Sequence, residues 1–294
     1  MLALGFTATQ IRRLLREGLL VAHRQGVYAP GTRFGELHRD EASAHALRVA
    51  AALARTRSNC AASHESAAII HGLKLLDRPS GNRVVLTHPR QGSGSRSGRE
   101  GVRIHVAELP AEDVVRRHGV PVTSVARTVA DLSRSGSFRE GVVVADAALH
   151  AGMVTRAELE RALAAYPRWP GLRRAREVVA FSDARAESPL ESLARVIFHE
   201  RGLPPPELQV WIHDGYGARI ARVDFFWRQY QTIGEADGAM KYEDPAAARR
   251  QLGRDKKLRG TGYELVHFGW QGIVYDTDLV IGEFLACFER GGTR

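Results

Sequence analysis

The sequence predicts a multi-domain α+β protein, and three observations carry that expectation. The chain has 294 residues, more than one ordinary mixed domain needs and enough for two or three. Its hydrophobic periodicity changes along the way: a short helix and a hairpin open it, a mixed α/β region follows, and the last third reads αβββαβ. With 44% hydrophobic and 26% charged residues, each part can fill a core and stay solvated. The expected segments are 1–32, 33–166, a helical connector at 167–185, and 186–294.

The net charge of +9 is unevenly spread. Residues 1–185 hold 28 Lys and Arg against 17 Asp and Glu, whereas 186–294 hold 14 against 16. Such an excess favours a polyanionic partner, because each cation placed near a phosphate releases condensed counterions. Only Lys74, Lys241, Lys256 and Lys257 are lysines, so arginine-rich coding drift is a competing source of the charge. No apolar run approaches the roughly 18 residues that span a bilayer, and Met1–Thr9 lacks the charged start and apolar stretch of a signal peptide. A cytoplasmic protein with no membrane partner is therefore expected. Cys60 and Cys287 match no metal-ligand spacing and are expected to be reduced and structural.

In the first segment Thr7 caps a helix whose apolar stripe is Ile11, Leu14 and Leu15 and which stops at Gly18. Leu19–Arg24 and Val27–Pro30, around Gln25-Gly26, read as a hairpin. Helix plus hairpin is a winged-helix-like arrangement. In it Thr9, Gln10, Arg12 and Arg13 lie on the helix that would enter a major groove, with Arg24 at the wing near phosphates.

The middle segment opens with an alanine-rich helix, Leu37–Arg55, and a second helix capped by Ser63 and closed by Gly72. Arg83–Thr87 and Val102–Val106 read as strands around a flexible basic loop, Gln91–Gly98. Val120–Leu132 is a strand leading into a helix on which Arg127 and Asp131 stand four apart, the spacing of a helical ion pair. Ser63, His64, Glu65 and Ser66 are consecutive on one helix, which rarely assembles a hydrolytic triad. Thr155–Ala180 is helical, broken at Trp169-Pro170-Gly171, and its Arg173, Arg174 and Arg176 form a solvated face or a phosphate-facing patch.

The last segment carries the chemistry. Ser188, Pro189 and Glu191 form a capping-box start to a helix. Strands follow at Glu207–His213, Ile220–Trp227 and Gln231–Gly238, then a charged helix at Pro245–Arg259 and a strand at Tyr263–Phe268. This αβββαβ order is the core of the restriction-endonuclease fold. Asp224 and Glu235 sit on adjacent strands across a short turn, so a hairpin can bring them together on one face. Paired carboxylates repel unless neutralised, which points to a hard divalent cation with oxygen ligands. Such a cation lowers the pKa of bound water, as phosphodiester hydrolysis requires.

Two resemblances add to this reading. Gly5, Ile11, Leu14, Gly18 and Leu20 with Arg24-Gln25-Gly26-Val27-Tyr28, the Ser63-His64-x-Ser66-Ala67-Ala68 run and Val120–Leu132 resemble AbiEi-type abortive-infection antitoxins. In that family helical sequence precedes the first motif, so a truncated winged helix is expected here. Residues 188–270 resemble PD-(D/E)xK nucleases, more narrowly the very-short-patch-repair-like domains. The resemblance implies Asp224, Glu235 and Glu191 as ligands of Mg2+ or Mn2+, with the Ala236 carbonyl as a further ligand. Where the pattern has a lysine, two residues after the second acid, this chain has Asp237. Lys241, Lys256 or Lys257 would then have to reach back.

Two functions stand open at this point. One is a DNA-binding endonuclease that hydrolyses phosphodiester bonds with a metal ion, Asp224, Glu235, Asp237, Lys241 and Lys257 forming its catalytic centre. The other is a non-enzymatic, antitoxin-like transcriptional regulator with a degenerate nuclease fold. The expected partners are DNA and a cognate toxin or a second copy of the chain.

Overall fold

The computed structural model describes residues 6–24, 27–31, 40–56, 59–76, 83–89, 94–97, 101–238 and 245–292. The chain divides into two compact units, Met1–Val144 with Met153–Ala180, and Ala145–Gly152 with Phe181–Arg294.

The first unit opens with helix α1 (Ala8–Arg16). The Thr7 hydroxyl accepts the Gln10 N–H and the Gln10 side chain returns to the Thr7 N–H, closing a capping box. Strands β1 (Leu20–Arg24) and β2 (Val27–Pro30) then pair antiparallel, with Val21 opposite Ala29. The expected helix and hairpin are both present.

A six-stranded mixed sheet follows, in the order β5-β6-β4-β3-β8-β7. Its strands are β3 (Ala61–Ala62), β4 (Val84–Pro89), β5 (Gly94–Ser97), β6 (Val102–Ala107), β7 (Val114–Arg117) and β8 (Val120–Thr123). Part of the segment expected to be a flexible loop is thus edge strand β5, antiparallel to β6; Gln91 and Gly98 lie outside the described residues. Helices α2 (Glu41–Thr56) and α3 (His64–His71) supply Ala46, Val49, Ala52, Ala67 and Ile70 to a core shared with Val84, Leu86, Val120 and Val122 of the sheet. Ser66 ties this core together. Its hydroxyl accepts the Val85 N–H at 2.8 Å and lies 2.8 Å from His45 Nε2. Gly72 ends α3 at φ +78, as expected, but the Ser63 hydroxyl makes no cap bond and turns to His64 Nδ1 instead.

Helices α4 (Val125–Ser135), α5 (Phe138–His150), α6 (Arg156–Ala164) and α7 (Leu172–Phe181) follow, α5 running from one unit's residues into the other's. The expected ion pair on α4 is present and wholly buried, Arg127 Nε lying 3.0 Å from Asp131 Oδ2. Arg127 also donates to Asp113 at 2.6 Å and to the Glu108 carbonyl at 3.0 Å, and its guanidinium lies 4.3 Å from the Trp169 ring centre. Residues 153–180 belong to this unit, 167–180 of the expected connector among them, and Tyr166 and Trp169 lie beside Arg127. Gly171 between α6 and α7 has φ +79, and a Cβ there would strike the Arg134 carbonyl oxygen, so the Trp-Pro-Gly break requires glycine.

The second unit has the expected order αβββαβ. Helix α8 (Pro189–Glu200) precedes β9 (Glu207–His213), β10 (Arg219–Trp227) and β11 (Thr232–Ala236); helix α9 (Pro245–Gly260) leads to β12 (Glu264–Phe268). The sheet order is β12-β11-β10-β9, antiparallel from β9 to β11, with β12 parallel to β11. Two helices that sequence reading did not assign, α10 (Trp270–Val274) and α11 (Thr277–Gly292), complete it. Phe198 of α8 is the hub of one face, with ring centres at 5.1 Å to Phe284, 5.3 Å to Trp227 and 5.4 Å to Phe225. On the other face Leu258 of α9 packs with Phe226 and Ile233. Cys60 and Cys287 are buried thiols outside any disulfide, and among the described residues no helix is long and apolar enough to cross a membrane.

Candidate functional site

A file of polar side chains crosses the whole second sheet. The antiparallel register that pairs Phe225 with Gly234 sets Asp224 opposite Glu235 one step further on, and the parallel register pairs Glu235 with His267. On the other side Val223 pairs with Val210 and Phe225 with Leu208, which sets Gln209 opposite Asp224. Gln209, Asp224, Glu235 and His267 therefore stand in a row from β9 to β12. A row of this kind breaks the apolar pattern of a buried sheet, a departure that marks functional sites.

The acids meet other side chains at each position. Gln209 Nε2 donates to Glu191 Oε2 at 3.0 Å and to Asp224 Oδ1 at 3.3 Å, while Asp224 Oδ2 accepts the Ala236 backbone N–H at 2.9 Å. Gln209 does this from φ +55, a left-handed conformation that costs a non-glycine residue roughly 1 kcal/mol or more and is held by its surroundings. Ser188 caps α8 as expected, but the Glu191 carboxylate returns to the Glu187 N–H, one residue before the cap. From α9, Arg254 forms an ion pair with Glu235. Beyond it, the His267 ring lies between two carboxylates, Nδ1 2.9 Å from Asp237 and Nε2 3.0 Å from Asp255.

Burial sets the proton affinities. Glu235 is 3% exposed; desolvation, with the Asp224 charge beside it, pushes its carboxyl up to about 7 against the pull of Arg254 and His267. Burial raises Glu191 as well, Asp224 adding to it and the Glu187 and Ser188 hydrogen bonds opposing. His267 is raised by its hydrogen bond to Asp237, with the Asp255 and Glu235 charges adding and burial opposing. It is therefore held as an imidazolium more firmly than a free histidine.

Asp224 thus lies beside both Glu191 and Glu235, while Asp237 is turned to His267 instead. Lys256 and Lys257 are exposed on α9, and Lys241 lies outside the described residues. The cation at Glu235 is Arg254, which sequence reading passed over because it sought the lysine of the nuclease pattern. Gln209, Asp255 and His267 were also missed; nothing in their local sequence separates them from ordinary strand and helix polar residues. Among the described residues no three His, Cys, Asp or Glu side chains are placed together to hold a metal ion. The acids as arranged meet the protein's own cations and amides.

At the N-terminal helix, Thr9, Arg12 and Arg13 are exposed. Gln10 is engaged in the Thr7 capping box, and Arg13 pairs with Glu17 at 2.7 Å. The side chain of Arg24 lies outside what is described.

The fold and the site together define a multi-domain mixed α/β protein with a buried acid–cation file in its second unit. Residues 60–180 match the family model of the AbiEi antitoxin C-terminal domain. The expected antitoxin likeness is therefore established over that span, which ends where the first unit ends. Two curated relatives from Mycobacterium tuberculosis, the uncharacterized proteins MT2308 and Rv2248, are each 36% identical over 151 residues, 51% of this chain and 55% of theirs. The chain thus spans little more than half the length of these relatives. The crystal structure of the RV2827C protein of Mycobacterium tuberculosis aligns at a TM-score of 0.38 and 19% identity, over 63% of this chain and 67% of that one.

Proposed function

We propose that this protein is an antitoxin-like, DNA-binding regulator in which a restriction-endonuclease-like second unit serves as a scaffold. The match of residues 60–180 to an antitoxin domain carries this reading. The N-terminal helix and hairpin would be its winged-helix-like DNA-contacting part, through Thr9, Arg12, Arg13 and Arg24, with Gln10 held in the cap. The basic excess of the first 185 residues supplies the sequence-independent attraction to phosphates. A cognate toxin is the protein partner that the antitoxin likeness implies. In the second unit Arg254 neutralises Glu235 where a nuclease would place a metal ion.

A second reading, metal-dependent phosphodiester hydrolysis, draws on one observation: the Asp224 carboxylate lies beside two buried carboxyls, Glu191 and Glu235, and burial raises both. Both readings are tested together. The full chain is incubated with supercoiled plasmid in magnesium, manganese or EDTA, beside Asp224→Ala/Glu235→Ala, and is titrated against its own upstream DNA at several salt concentrations. The regulator binds with salt-sensitive affinity and leaves the plasmid intact. Metal-dependent nicking that disappears in the double variant would instead establish the nuclease.

A further inference from the structure

The first unit contains a cleft of about 390 Å³ that the proposed function does not use. At its base is the His64 imidazole, which is 2% exposed. The ring is fixed on two sides: Nδ1 lies 3.0 Å from Ser63 Oγ, and the plane stacks on His105 with centres 4.0 Å apart and 17° between planes. Its Nε2 is buried and, among the described residues, has no hydrogen-bond partner. A polar atom stripped of water and given nothing in return is unusual in a folded core and calls for an explanation. Burial pushes the ring down to about 3, so it is a neutral hydrogen-bonding group at any ordinary pH.

The wall of the cleft is basic. Strands β4 and β6 run parallel with Val85 opposite Arg103, so Arg83, Arg103 and His105 share one face of the sheet. Arg83 and Arg103 are exposed and, among the described residues, have no carboxylate partner. The two carboxylates on the rim differ. Glu140 is committed to the Ser137 N–H at 2.7 Å, whereas Glu65 lines the cleft with its accepting oxygens available among the described residues.

We propose that this cleft binds a small phosphate monoester. Arg83 and Arg103 hold the phosphate, a planar fork being suited to its oxygens. His64 Nε2 hydrogen-bonds the body of the ligand, and Glu65 accepts from one of its hydroxyl or amino groups. The volume falls within the roughly 300–1,000 Å³ of small-molecule sites and accommodates a mononucleotide. A duplex backbone lies across such a cleft and does not reach its base.

The test is calorimetric titration of the full chain with AMP, with inorganic phosphate, and with a 5′-phosphorylated duplex oligonucleotide. It is run on the natural protein and on Arg83→Ala/Arg103→Ala, whose exposed positions leave the fold intact as judged by an unchanged melting temperature. AMP is expected to bind more tightly than phosphate and to weaken at least ~10-fold in the double variant, the scale of lost charge-assisted hydrogen bonds. His64→Gln, read alongside, is expected to weaken AMP while leaving phosphate nearly unchanged. Absence of AMP binding, or AMP affinity that survives the arginine variant, overturns the proposal. Oligonucleotide binding that AMP does not displace and that the arginine variant abolishes would assign these arginines to nucleic acid and overturn it too.

Discussion

Arg127 shows how much one side chain can hold in this protein. It is 1% exposed and meets Asp131, Asp113 and the Glu108 carbonyl at once, with the mutually stacked rings of Trp169 and Tyr166 centred 4.3 and 5.0 Å from its guanidinium carbon. Removing one partner of a buried charge network leaves the others uncompensated, so Arg127→Ala is expected to cost about 3–5 kcal/mol in urea unfolding. Arg127→Lys should recover little, because a point charge cannot span three acceptors. Glu235 makes the opposite kind of contribution. Its folded carboxyl titrates near 7 against an ordinary value of 4.5, so the folded state holds its proton more tightly than the unfolded chain. The stability this gives is present in full below about pH 4.5 and declines as pH rises toward 7, by on the order of 3 kcal/mol. Glu235→Gln should flatten that decline; an unchanged slope between pH 5 and pH 8 would refute the assignment. The ion pair on α4 was visible as an i, i+4 spacing, but its burial and its other partners were not, since they come from residues up to 42 positions away in the chain.

Elements were legible where their patterns are local. The caps at Thr7 and Ser188, the stop at Gly72 and the break at Gly171 each depend on a few neighbouring residues, and all four fell where the residue types put them. Strand β5 was missed because Gly and Ser give no strand signal, and its pairing with β6 supplies the hydrogen bonds that define it. Helix α11 was passed over although Ile281, Phe284 and Phe288 follow a helical spacing. Its importance comes from packing: Phe284 touches Phe198, Trp227 and Phe268 and comes close above Gly234. Phe284→Ala is expected to cost about 3–5 kcal/mol through the cavity it leaves, read by denaturant unfolding of the second unit. Gly171→Ala should destabilise the first unit by roughly 1 kcal/mol or more, because it combines a positive φ with a backbone clash.

At the scale of the whole molecule the two units respond to pH with opposite sign. In the first, burial lowers His45 to about 4 and His64 to about 3, and lowers His71, so the unfolded chain takes up protons first and stability is lost as pH falls below about 6.5. In the second, burial raises Asp146 to about 6 and Glu235 to about 7, and Asp237 raises His267, so stability is lost as pH rises. Hydrogen exchange followed at pH 4.5 and pH 8 should therefore show β4 and β6 deprotected at the acid end and β10 and β11 at the alkaline end. Parallel changes in both units would contradict this. The sequence by itself determined the multi-domain organisation, the αβββαβ order of the second unit and the adjacency of Asp224 and Glu235, because periodicity, capping and hairpin register are properties of neighbouring residues. Tertiary structure alone decided which cation answers the acids, that Gln209 bridges two of them, and that His64 is buried in a cleft lined by Arg83 and Arg103. Those choices depend on which side chains distant in sequence are folded to within hydrogen-bonding distance, and on how much water is excluded when they meet.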